Sequence, residues 1–279
     1  MSEPTIHFTP VRGGTAHGRF TPPPTISVTA LAGVPGLVRQ TFGERLLQHA
    51  NRAARLDIAL IEDQACFIPH ATMTAFLSEI ERRSGEALLG LLLAPHLSVA
   101  TYGCWGRYIL EAGTLGIAIG RAVRAMVFHS RGDQAGIAAR DGIASFTYLS
   151  AARGREGYAH VACGAVGVMI NLCRSYLSPH WRPLRVDLDI ARRDAARFED
   201  VFGCPVLLDA PVLSVHFPAE LLDAPRTVRS RAGILTIGEV ARLRSGAAQQ
   251  AGVVGAVAAQ VWTQVLAGAV SIDSTAHAL

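Results

Sequence analysis

Trp181-Arg182-Pro183-Leu184-Arg185-Val186-Asp187-Leu188 opens the stretch whose reading decides the fold. An Arg/Asp/Ala-rich segment runs on to Phe202, then Gly203-Cys204-Pro205-Val206, then Val212-Leu213-Ser214-Val215-His216-Phe217, and Pro218-Ala219-Glu220-Leu221-Leu222-Asp223 leads to Pro225. The order reads as a packing unit. Pro183 to Leu188 is a strand, and Ala191 to Phe202 is an amphipathic helix with Arg192, Arg193, Asp194, Glu199 and Asp200 on its wet face. After a tight turn, Val206 to Leu208 and Val212 to Phe217 form a final strand pair, and a helical turn follows. No catalytic group recurs here at a spacing that chemistry would need.

Upstream, apolar residues recur three and four apart. They predict helices over Pro35 to Leu56, Pro69 to Arg83, Glu86 to Ala94, Tyr102 to Glu111 and Leu115 to Phe128. Pro35 suits a first helical turn, where its missing amide is not needed. Thr114, after Gly113, is placed to cap the last of these helices. The period then shortens. Gln134 to Ala139 and Ile143 to Leu149 flank Arg140-Asp141-Gly142, a hairpin signal. Gly157 to Leu177 is apolar on most sides, as a central helix should be. The expected class is α+β: N-terminal helices followed by a small, mostly antiparallel sheet with crossing helices, then a helical C-terminal tail built from Ile234 to Leu243 and Gly252 to Val270. The expected division is a flexible tail over 1–25, one domain over 26–225, a helical linker over 226–270, and the opening of a further helix over 271–279.

Composition excludes several functions. Half of the 279 residues are apolar and 17% are charged, enough to bury a core and too little charge for a disordered chain. The formal net charge is +4, and all 26 basic residues are arginine. The absence of lysine removes Schiff-base chemistry and a phosphate-loop lysine. No basic run marks a nucleic-acid track. Cysteines at 66, 104, 163, 173 and 204 form no Cys-x-x-Cys, which fits a reducing cytoplasm. The ten histidines include no His-x-x-x-His pair, so neither a metal nor a cofactor is expected. No Gly-x-Ser-x-Gly elbow is present. Asp187 and Asp189 read as a solvated same-face pair, and Gly116 and Gly120 as close-packing positions. Gln260, Thr263 and Gln264 interrupt the weakly polar run from Gly252 to Val270, which reads as a packing helix and not a membrane span.

A ligand site needs an apolar concavity with a few polar tips. The middle of the chain supplies that mixture on elements expected to pack together: Tyr102, Trp105, Arg107 and Tyr108, then His129, then Phe146 and Tyr148, then Tyr158 and His160. His160 and Tyr108 each place a polar tip within an apolar run, and such a tip seeks a partner when buried. Arg107 could fork onto a ligand carboxylate.

Phe202-Gly203-Cys204-Pro205-Val206, followed by Phe217 and Leu221-Leu222-Asp223, resembles the arabinose-binding-like sensor domain of one large branch of AraC-type bacterial transcription regulators. The likeness spans most of residues 30–225. Gly103-Cys104-Trp105-Gly106-Arg107-Tyr108 through Gly113-Thr114-Leu115 takes the place of a Leu/Gly-rich segment, with Ala112-Gly113 where the family usually has Ser-Pro. This helix-rich sensor differs from the cupin-type sensor of other AraC-type proteins. The resemblance implies a domain over 26–225 that senses a small molecule and self-associates as a homodimer, and no enzyme. It also implies promoter binding only through a C-terminal helix-turn-helix. Ser271-Ile272-Asp273-Ser274-Thr275-Ala276-His277-Ala278-Leu279 is similar to the first helix of such a unit, truncated, with Ser271 as its cap. No membrane partner is expected. The other reading is a stand-alone small-molecule-binding protein or an enzyme on a related scaffold.

Overall fold

The computed structural model describes residues 23–57, 61, 66–191, 194–226, 235–249, 257, 261, 271–273 and 276. Three very short strands begin the fold. β1 (Thr25–Ser27) is central, with β2 (Phe67–Pro69) and β3 (Ser130–Arg131) antiparallel on either side. This sheet has no counterpart in the sequence reading, and Thr25, assigned there to the tail, is the first residue of β1.

Helices α1 (Val34–Phe42) and α2 (Glu44–Ala54) replace the single helix expected over Pro35 to Leu56. Gly43 divides them, at φ +88°, a conformation that a glycine adopts without steric penalty. Next come α3 (His70–Ser84), α4 (Leu89–Leu93), α5 (Gly103–Leu110) and α6 (Leu115–Arg124). The Thr114 hydroxyl accepts the Ile117 amide at 3.3 Å and caps α6, as its position predicts. A 3₁₀ turn over Met126–Phe128 ends the segment that was expected to be one helix to Phe128.

β4 (Gln134–Arg140) and β5 (Ile143–Leu149) form the expected hairpin. Asp141 and Gly142 both have positive φ, 52° and 76°, so the two-residue loop matches the twist of its strands. After α7 (Tyr158–Arg174) come β6 (Arg185–Leu188), α8 (Ala196–Phe202), β7 (Val206–Leu208) and β8 (Leu213–Pro218). The larger sheet runs β4-β5-β8-β6-β7. The final strand pair expected from the sequence does not form: β6 lies between β7 and β8, with β7 parallel to it. A helix joins two parallel strands naturally, and α8 is that crossover. The chain then turns back at Asp209, φ +63°, so that β8 lies on the other side of β6.

The architecture is α+β, in two adjoining cores. One packs α1, α2, α3 and α4 around Val38, Leu47, Phe76, Ile80 and Leu89; the other packs α5, α6, α7 and α8 on the larger sheet. Each such fully buried side chain contributes about 1.5–3 kcal/mol. The buried Tyr176 hydroxyl donates to the carbonyls at the end of α5, those of Ile109 and Ala112 at 3.2 and 3.1 Å. Gly90 and Gly167 let backbones touch: a Cβ at Gly167 would lie 2.3 Å from the Ala94 carbonyl oxygen.

α9 (Ile237–Gln249) is the first tail helix. The helix expected over Gly252 to Val270 lies outside the described residues apart from Val257 and Val261. Most of the 1–25 tail and of the 271–279 helix opening lies outside them too, although Ile272 and Asp273 are helical. Among the described residues, no helix is long and apolar enough to cross a membrane.

Candidate ligand pocket

A cavity of about 110 Å³ lies where the two cores meet. Its floor is one face of α7, where Val161, Gly164, Ala165, Val168 and Leu172 follow each other at helical spacing. The two smallest of them leave the space. The opposite walls come from Ile26, Leu31, Met73, Ile109, Met126 and Phe146. An engineered apolar cavity of about 150 Å³ stays dry and takes up benzene, so the volume suits a small molecule. Met73, Met126 and Met169 add adaptability, because an unbranched thioether repacks at little cost.

Polar groups gather along one rim. The His129 ring stacks against both Tyr102 and Trp105, at centroid distances of 4.8 and 4.5 Å, and the three rings form one cluster. The Trp105 indole N–H donates to the Ala125 carbonyl at 2.7 Å. Burial, with help from the Arg244 charge and His70, pushes His129 down to about 3, so the ring is neutral at physiological pH. Its Nδ1 is buried and has no partner among the described residues. The Tyr148 hydroxyl donates to Asp133 Oδ2 at 2.5 Å, and burial beside that carboxylate raises the phenol well above its ordinary range. Asp133 Oδ1 also accepts the Ala151 amide at 2.8 Å and lies 3.4 Å from His70 Nε2. Burial lowers His70 as well. Where α3, α4 and α7 meet, the Gly90 amide donates to His160 Nδ1 at 3.2 Å, and His160 Nε2 meets Glu81 Oε2 at 2.7 Å. With both nitrogens engaged, His160 offers the cavity only ring carbon.

Six of the nine residues singled out in the sequence line this cavity: Tyr102, Trp105, His129, Phe146, Tyr148 and His160. Arg107, Tyr108 and Tyr158 do not. Tyr102, Trp105 and Ile109 are three and four apart and share the cavity face of α5, which turns Arg107 and Tyr108 away from it. Arg107 is half-exposed and pairs with Glu111 at 2.7 Å. Tyr108 lies under the Arg121 guanidinium, 4.8 Å from its ring centre. The Tyr158 hydroxyl donates to Asp189 at 2.6 Å.

Asp187 and Asp189 are therefore not the solvated pair expected from spacing; both are buried. Asp187 meets Arg185 at 2.7 Å and His216 Nε2 at 2.8 Å, and His216 Nδ1 meets the Ser145 hydroxyl at 2.9 Å. This Ser–His–Asp line joins neighbouring strands β5, β8 and β6, and no sequence spacing announces it. Acyl transfer also needs free amides aimed at a developing oxyanion. β5 is paired on both sides, so its amides belong to the ladder, and none of the three residues lines the cavity. The line is a cross-strand brace. Among the described residues, no group of three or more His, Cys, Asp or Glu side chains is placed to hold a metal.

The fold is shared with a solved structure described as the transcriptional regulator CdpR from Pseudomonas aeruginosa. The TM-score is 0.50 at 16% identity, with 84% of this chain and 82% of that one covered. A search of the curated proteins finds no match. The family described as "Arabinose-binding domain of AraC transcription regulator, N-term" matches residues 47–226, which contain most of the cavity wall and all five strands of the larger sheet. The match takes in more than half of the 279 residues, and the chain belongs to that family of AraC regulator N-terminal domains.

Proposed function

We propose that the cavity is the effector pocket of an AraC-type regulator and that the domain over 26–225 senses a small, largely apolar metabolite. The apolar space at the junction of the two cores carries this reading, because a ligand there touches both halves of the domain at once. Tyr102, Trp105, His129, Phe146 and Tyr148 form its aromatic wall. A few desolvated polar groups on the rim, among them the His129 ring and the Tyr148 hydroxyl, fix orientation. On this reading the domain acts in the cytoplasm as a homodimer. A helical segment links it to a helix-turn-helix that binds promoter DNA at paired half-sites. The family relationship supports the reading as the sensor domain of an AraC-type regulator.

A thermal-shift screen of small metabolites tests the pocket, since a ligand that binds only the folded state raises Tm by mass action. Ala122 is buried in the cavity wall, and Ala122→Leu fills the space. A hit is expected to lose its shift in this variant while the unliganded Tm stays close to wild type. A hit that shifts both proteins alike would overturn the assignment. Light scattering at micromolar concentration tests the dimer, and a monomer would remove it.

A further inference from the structure

Arg244 is buried, 5% exposed, although it stands on tail helix α9. Its Nη1 donates to Ser27 Oγ at 2.7 Å, its Nη2 donates to the Tyr102 carbonyl at 3.2 Å, and its Cζ lies 5.9 Å from the Phe67 ring centre. All three partners are neutral. Among the described residues, no carboxylate comes within ion-pair distance of this guanidinium, which cannot lose its charge. A buried cation without a counter-ion is strongly unfavourable, and an anion that reached it would be bound with little competition from water.

The cavity approaches the same place. Tyr102 lines the cavity and accepts from Arg244. Ser27 follows the cavity residue Ile26, and its amide donates to the His129 carbonyl at 2.7 Å. The His129 ring lines the cavity, and its buried Nδ1 has no partner among the described residues. Among the described residues, an apolar space, a cation with no carboxylate partner and a ring nitrogen with no partner thus come together around Tyr102, with Arg244 behind the cavity wall. Arg107, which pairs with Glu111 away from the cavity, cannot supply this charge.

We propose that the effector carries a carboxylate on a small apolar body, and that Arg244, reaching in from α9, is its counter-ion. The apolar body fills the cavity. The carboxylate takes two donors from the guanidinium fork, with the His129 nitrogen beside it. Because Arg244 belongs to the tail helix, such an effector fastens α9 to the pocket wall, and pocket occupancy is felt by whatever follows that helix. The inference rests on the reading of the cavity as the effector pocket.

Matched probes test it on the full chain: benzoate against benzyl alcohol, and hexanoate against hexan-1-ol, by calorimetry and thermal shift at neutral pH. Wild type is expected to bind each acid at least about tenfold more tightly than its alcohol. Arg244→Met should reduce the acids to the level of the alcohols and leave the alcohols unchanged, while Arg244→Lys keeps part of the preference. The wild-type comparison stands even if a variant fails to fold. Alcohols that bind as tightly as the acids, or an acid preference that survives Arg244→Met, would overturn the counter-ion and leave the pocket standing. Failure of both acids and alcohols to bind would overturn the pocket and the counter-ion together.

Discussion

His160 Nε2 and Glu81 Oε2 stand 2.7 Å apart and tie α7 to α3 beside the cavity. The other ring nitrogen accepts the buried Gly90 amide, so one side chain braces three helices. His160→Ala leaves that amide without a partner. It is expected to destabilise the fold by about 2 kcal/mol, the typical penalty for a buried donor left unsatisfied. Urea unfolding would register this as a lower midpoint with an unchanged slope. An unchanged midpoint would show that the brace carries no stability.

Gly164 and Gly167 occupy the same helix but different surroundings. A Cβ at Gly167 would meet the Ala94 carbonyl oxygen at 2.3 Å, whereas at Gly164 it would meet the flexible Leu97 Cδ1 at 3.1 Å. Replacing either by alanine gains up to ~1 kcal/mol of helix propensity. For Gly167→Ala the backbone clash outweighs that gain, and a net loss of about 2 kcal/mol is expected. Gly164→Ala should be close to neutral and should shrink the cavity. Thermal unfolding of the two variants side by side would check the difference, and equal behaviour would contradict the packing described here.

Acid should weaken the fold through His129. Its folded value, about 3, lies below the ordinary 6.5, so the unfolded chain binds the proton more readily. Stability from this residue is therefore fully present above 6.5 and is lost as the pH falls from there towards 3. His70, also lowered by burial, acts in the same sense. The slope from one such group reaches at most about 1.4 kcal/mol per pH unit. His129→Phe keeps an aromatic ring in the stack and removes the proton site. Denaturant midpoints at pH 7.5 and pH 5 should converge for this variant relative to wild type.

Tyr148→Phe removes the phenol that donates to Asp133 and keeps the ring in the cavity wall. Asp133 then retains the Ala151 amide and Ser150 but loses one donor to a fully buried carboxylate. A loss of about 1–3 kcal/mol is expected, with binding of neutral apolar probes preserved. Equilibrium unfolding and a parallel binding titration would separate the two effects.

Local signals were legible wherever a residue acts on its own neighbours. Thr114 caps α6, Asp141-Gly142 turns the hairpin, and the helical spacing around Met73, Ile119 and Val166 marks helices that the structure contains. Gly43 was legible only as a glycine within a helical pattern, and its φ of +88° makes it the break. For the site, residue type was the signal: an aromatic or histidine in an apolar run proved to line the cavity at Tyr102, Trp105, His129, Phe146, Tyr148 and His160. Tyr108 shares that composition, yet a turn of 100° per residue on α5 carries it, with Arg107, off the cavity face.

Sequence by itself determined the α+β class, most of the helices, the hairpin and the aromatic supply of the pocket, because periodicity, caps and turns are short-range effects. Tertiary structure alone decided that β6 separates β7 from β8, that Thr25 pairs with Pro69 and Arg131, and that Ser145, His216 and Asp187 form one line. It also decided that Arg244 lies buried against Tyr102, 142 residues away in the chain. These pairings join segments far apart in sequence, and β1, β2 and β3 are also too short to show an alternation. They follow from which buried faces can cover one another once the helices have packed, and no local pattern of residues encodes that.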